Sequence, residues 1–73
     1  MAATYYVIAI SYGQNTEYWN SALVNDYNTT ENAEYAEGFE TIEAAQKELE
    51  NAVKPYGISK CWKVTYSIDE VLQ

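Results

Sequence analysis

Thr4-Tyr5-Tyr6-Val7-Ile8-Ala9-Ile10-Ser11-Tyr12 is the stretch on which the fold turns. It is β-branched and aromatic, with Tyr6, Ile8, Ile10 and Tyr12 on one face of an extended chain and Tyr5, Val7 and Ala9 on the other. Apolar side chains on both faces predict a central strand. Gly13-Gln14-Asn15 follows as a turn, and Thr16 to Val24 reads as a second strand closing a hairpin. Trp19, Leu23 and Tyr27 also fall at i, i+4 and i+8, so a helix from Thr16 competes. The Asn, Ser and Thr content of the segment favours the strand.

Further on, Asn25 to Asn32 is a polar loop rich in turn formers, and a short strand is expected near Tyr35 to Phe39, with Gly38 marking a bulge or a close backbone approach. Thr41 is placed to cap a helix running from Ile42 to about Lys54. Glu43 in the first turn complements the positive helix end. Ile42, Ala45, Leu49 and Ala52/Val53 form the apolar stripe of that helix, while Glu43 with Lys47 and Glu50 with Lys54 stand at i, i+4 in the favoured orientation. Pro55 and Gly57 stop it. Residues 58 to 68 alternate, with Trp62, Val64, Tyr66 and Ile68 inward against Cys61, Lys63, Thr65 and Ser67 outward, as a strand with one solvated face does. The expected architecture is a single α+β domain over residues 1 to 73: a small, mainly antiparallel sheet of three or four strands with one helix packed on a face, in the order β-β-(β)-α-β.

Composition bounds the chemistry. A chain of 73 residues buries only about 60% of the surface its unfolded form exposes, so stability is expected to be marginal. With one Cys and no His, an internal disulfide and a Cys/His zinc site are both excluded, leaving self-association as a source of extra stability. The lone Cys61 and a start of Met-Ala-Ala-Thr, without a basic and apolar leader pattern, point to a reducing cytoplasm. The longest apolar run, Tyr5 to Ile10, is too short to span a membrane. Without His there is no Ser/His or Cys/His arrangement, and the three Gly stand apart, so no phosphate loop exists. Cys61 has Lys60 and Lys63 beside it, yet a strand cysteine in so small a domain is more often inert. Paired carboxylates for glycoside hydrolysis would need a cleft that such a chain has little volume to form. No enzyme activity and no cofactor are expected.

The charge is one-sided. Residues 1 to 46 carry seven carboxylates and no base, whereas residues 47 to 73 carry four of each sign, so the whole net charge of −7 lies in the first two thirds. Glu31, Glu34, Glu37, Glu40 and Glu43 recur every third residue. On a strand that spacing alternates faces, so Glu34 and Glu37 are expected to point to opposite sides. Glu43 is accounted for by the helix start, which leaves an acidic edge from Asp26 to Glu40. Asp26, Asn28, Thr30, Glu34 and Glu37 also match positions 1, 3, 5, 9 and 12 of an EF-hand-like calcium loop, but Glu31 stands where the sharp turn needs Gly, and no good helix precedes it.

A net charge of −7 repels a phosphate backbone, so direct nucleic-acid binding is disfavoured. Protein recognition fits better. Tyr18, Trp19, Tyr27 and Tyr35 flank the acidic segment, and exposed Tyr and Trp are the residues that most often anchor interfaces. The expected contact set is Asp26, Glu31, Glu34, Glu37 and Glu40 with these four aromatics, and the expected partner is a basic protein surface that ordinarily holds nucleic acid. Two alternatives stand beside it: a small domain that self-associates as a homodimer through a sheet edge or aromatic patch, with its charge serving solubility, and the calcium-binding loop.

The succession of Thr4-Tyr5-Tyr6-Val7-Ile8-Ala9-Ile10, Glu17-Tyr18-Trp19, Ala36-Glu37-Gly38-Phe39-Glu40-Thr41-Ile42-Glu43-Ala44-Ala45 and a final Val64-Thr65-Tyr66 strand looks like many small phage-encoded proteins. In size, acidity, absence of catalytic residues and Asn/Tyr-rich composition the chain is similar to anti-CRISPR and related anti-defence proteins. That class resemblance implies inhibition by binding in the host cytoplasm, an acidic face acting as a DNA mimic against a defence complex. The class shares no site motif, so the resemblance assigns no residue a role.

Overall fold

The side chains of Val7, Ile8, Ala9 and Ile10 are all buried, which places the first strand at the centre of the sheet. The computed structural model describes residues 4–23, 27–56 and 64–72. Within them β1 (Thr4–Tyr12), β2 (Asn15–Trp19), β3 (Thr29–Thr30) and β4 (Val64–Leu72) form one antiparallel sheet in the order β3-β2-β1-β4. One helical segment of twelve residues crosses it, α1 (Ile42–Glu48) running on into a π-helical stretch, Leu49–Val53. The expected α+β architecture and element order are therefore observed.

The hairpin forms because Gly13, at φ +61, takes the left-handed backbone that a two-residue turn demands at its first position, pairing Tyr12 with Asn15. Ser11 and Thr16 then face one another with their hydroxyls 3.2 Å apart. β2 is a strand rather than a helix, and it stops at Trp19, short of the expected Val24. Asn20 ends it: its side-chain oxygen accepts from the Ala22 N–H at 2.9 Å and its carbonyl from the Leu23 N–H at 3.1 Å, a local turn that competes with the ladder.

The polar loop contains an unexpected strand. Asn28, at φ 56, adopts the left-handed conformation that Asn tolerates, and its side-chain amide donates to the Leu23 carbonyl at 2.6 Å. Thr29 and Thr30 can then pair with Trp19 and Tyr18. The strand expected near Tyr35 to Phe39 is corrected to a 3₁₀ turn at Ala33–Tyr35 and one antiparallel bridge, Phe39 with Tyr6. Asn32 causes the change, since its side chain caps the turn by accepting from the Glu34 N–H at 2.9 Å.

Thr41 caps α1 as its position predicted, accepting from the Ala44 N–H at 3.1 Å. Ala45, Leu49 and Val53 pack with Ile8, Ile10 and Trp19 in a core ringed by half-buried Tyr6, Tyr12, Tyr27, Phe39, Tyr66 and Ile68. Ile42, assigned to the same stripe, is instead 52% exposed, one turn ahead of the first buried helix residue. The bond from the Lys54 N–H to the Leu49 carbonyl, 3.0 Å, spans five residues and gives the last turn its π geometry. Lys54 also pairs with Glu50 at 3.1 Å, whereas the Glu43–Lys47 pair does not close. β4 shows the expected alternation, Val64, Tyr66 and Ile68 being half-buried and Thr65 and Ser67 exposed, and continues to Leu72. The expectations for Val24, Asp26, Gly57, Lys60, Cys61, Trp62 and Lys63 lie outside the described residues.

Candidate protein-binding edge

The carboxylates divide into those engaged by neighbours and those facing solvent alone. Glu17 accepts from the Thr29 hydroxyl, tying β2 to β3. Glu48 accepts from the Trp19 indole N–H at 3.0 Å, and Glu50 accepts from Gln46 at 2.9 Å and Lys54 at 3.1 Å. Glu37 holds the loop after β2, accepting from both the Ser21 N–H at 3.0 Å and the Ser21 hydroxyl at 2.8 Å. Asp69 accepts from the Ser67 hydroxyl at 3.3 Å. That leaves Glu31, Glu34, Glu40 and Glu43, with Glu70 apart from them on β4, exposed and with no hydrogen bond or ion pair among the described residues on their carboxylates.

Truncating Glu37 is expected to cost about 1 kcal/mol, since it leaves the Ser21 N–H and hydroxyl with only water at a partly exposed site. A thermal melt followed by circular dichroism should show Glu37→Ala lowered by about 4–8 °C and Glu37→Gln, which keeps an acceptor oxygen, lowered by less. Equal melting of Glu37→Ala and the parent would show that the clamp contributes nothing.

Glu34 and Glu40 are brought together by the fold. They line one open groove of about 480 Å³ with Thr4, Tyr5, Ala36, Gly38 and Phe39. The 3₁₀ turn, not a strand, carries Glu34, so the period-two alternation that would have sent Glu34 and Glu37 to opposite sides does not govern them. Phe39 is anchored in both directions, its N–H donating to the Tyr6 carbonyl and the Tyr6 N–H donating to its own, each at 2.8 Å. The Glu37 N–H donates to the Trp19 carbonyl at 2.9 Å, extending the same edge. Gly38 is the close approach its position suggested: a Cβ there would sit 2.9 Å from Cδ2 of Tyr5. Gly38→Ala must push the Tyr5 ring out of the groove wall, and a loss of about 1 kcal/mol is expected in a denaturant titration. An unshifted midpoint would mean that Tyr5 moves freely.

The aromatics expected at the contact surface separate. Tyr35 is 62% exposed beside Glu34, and Asn20 fixes its backbone by donating to the Tyr35 carbonyl at 2.8 Å. Tyr18 is half-buried in β2 opposite Ala9 and Thr30, and Tyr27 packs against the core. Trp19 is a correction: at 3% exposure it is a core residue and offers no surface to a partner. Its indole N–H and ring found partners inside the chain, in Glu48 and in an edge-on contact with Tyr56 at 5.5 Å. Tyr5 and Phe39 also line the groove, and Gly38, whose missing side chain admits the Tyr5 ring, is the one sequence signal that points to them.

Among the described residues, those of the calcium-loop pattern do not converge. Thr30 belongs to β3, Glu37 is directed to Ser21, the Asn28 amide donates to the Leu23 carbonyl, and Glu34 lines the groove. Among the described residues no three His, Cys, Asp or Glu side chains are grouped to hold a metal ion, and no helix is long and apolar enough to cross a membrane. Comparison with protein-family models, curated proteins and solved structures gives no match.

Proposed function

We propose that this chain is a non-enzymatic binding inhibitor whose acidic edge covers a basic, nucleic-acid-binding surface of another protein. The observation that carries the reading is the set Glu31, Glu34 and Glu40, exposed within ten residues of one another with no described cation on any of them. Carboxylates left without internal partners are free to meet lysines and arginines, and a cluster of one sign both steers encounter and selects the partner. Exposed Tyr35 adds an aromatic contact at the same edge. The resemblance to anti-defence proteins makes the target-recognition surface of a CRISPR-type complex in the host cytoplasm the first partner to try.

The test is capture from the native host on the immobilised chain, followed by elution in rising salt and with competing DNA or RNA. A nucleic-acid-binding protein released by both, with most of it lost between roughly 50 and 200 mM salt, is the expected result. A partner that has no basic groove, or that stays bound through both treatments, would sink the reading.

A second reading rests on β4. It is a nine-residue strand at the sheet margin, pairing with β1 alone among the described residues, and its Leu72 is 71% exposed. Strand addition by a second copy would give a homodimer whose mass in light scattering stays constant as salt rises.

A further inference from the structure

The groove beside β1 has a chemical character that narrows what it can receive. Glu34 and Glu40 line it together with Tyr5, whose ring lies against Gly38, and with Ala36 and Phe39. An anionic or purely apolar occupant would leave both carboxylates unsatisfied or repelled. A metal ion lacks ligands here, because no third carboxylate, Cys or His joins the pair among the described residues. What suits two carboxylates and an aromatic wall together is a flat cation.

We propose that the groove is the seat of one arginine side chain presented by the partner protein, an inference that rests on the acidic-edge reading. Guanidinium is planar, offers a fork of N–H donors that matches a carboxylate, and stacks on an aromatic face with less loss of hydration than an ammonium suffers. The groove, at about 480 Å³, falls within the usual size range of ligand pockets and has room for the side chain and part of the segment bearing it. Its walls are held before any partner arrives. The paired 2.8 Å bonds between Phe39 and Tyr6 fix one side, and the Asn32 cap on the Glu34 N–H fixes the other. Such preorganisation lowers the entropy lost on binding.

The experiment is an NMR titration of the full chain with N-acetyl-Gly-Arg-Gly-amide and with the Lys and citrulline peptides of the same frame. The arginine peptide should produce saturable amide shifts centred on Gly38 and Phe39, in roughly the millimolar range. The order should be arginine, then lysine, then uncharged citrulline. Glu34→Gln with Glu40→Gln should weaken arginine binding about tenfold, while Glu70→Gln, on β4, should leave it unchanged. Shifts spread evenly over Glu31, Glu43 and Glu70, or an affinity untouched by the double substitution, would overturn the seat. Its failure is distinguishable from that of the broader reading. If partner capture survives Glu34→Gln/Glu40→Gln but is lost on Glu31→Lys, the seat is wrong and the acidic edge stands; if capture survives reversal of Glu31, Glu34 and Glu40 together, both fall.

Discussion

Trp19→Ala is expected to abolish cooperative folding. The side chain lies at 3% exposure where β2 ends, under the helix that carries Leu49 and Val53. Removing it deletes the largest buried side chain among the described residues, the edge-on packing against Tyr56 at 5.5 Å, and the donor that satisfies Glu48 at 3.0 Å. Aromatic-to-alanine changes in cores cost about 3–5 kcal/mol. A domain of 73 residues has a total stability on the order of 4–10 kcal/mol, so the loss takes much or all of it. Thermal denaturation should show either no transition or a midpoint lowered by at least about 15 °C. Trp19→Phe retains a ring against Tyr56 but leaves Glu48 without its donor, and should cost about 1–3 kcal/mol. A Trp19→Ala chain that melts like the parent would contradict the placement of this residue in the core.

Glu34→Lys/Glu40→Lys is expected to weaken partner binding strongly at low salt while leaving the fold intact. Both residues are exposed and their carboxylates bond to no described group, so the stability change should stay within about 0.5 kcal/mol. Four units of charge are exchanged, taking the net charge from −7 to −3. Against a basic surface each reversal replaces attraction with repulsion at the same contact. A loss of about 100-fold in affinity is the order expected at low salt, falling to several-fold at high salt as screening removes the long-range part. Surface plasmon resonance at two ionic strengths measures it, with much of the low-salt loss in the association rate. Binding that is unchanged at low salt would remove these two glutamates from the interface.

Much of the fold was legible because it rests on local rules. The two-faced apolar run Tyr5 to Ile10 can be satisfied only inside a sheet, Gly13 offers the backbone a tight hairpin needs, and Thr41 supplies the oxygen for a helix start. The misplaced elements are those decided by competition at a distance. β3 exists because Trp19 and Tyr18 present an unpaired edge to Thr29 and Thr30, and no periodicity in Asn25 to Asn32 reports that. The segment after Tyr35 reads as a strand by composition, yet Asn32 captures the Glu34 N–H first, and the segment meets the sheet only through the Phe39 bridge and the Glu37 N–H bond to Trp19.

For the site, the sequence by itself determined the sign and amount of charge, the absence of His chemistry, and the stretch in which the unneutralised glutamates lie. Tertiary structure alone decided which of those glutamates are available. Glu37 stands among its neighbours in the same spacing, but Ser21, sixteen residues earlier, meets its carboxylate; Glu34 and Glu40, six residues apart, come to one groove because Phe39 is drawn onto β1. Trp19 shows the same division, since composition marks a large amphipathic ring and only packing determines whether that ring meets the core or a partner. Charge belongs to a residue wherever it lies, whereas exposure and pairing depend on what the rest of the chain brings within a few ångströms of it.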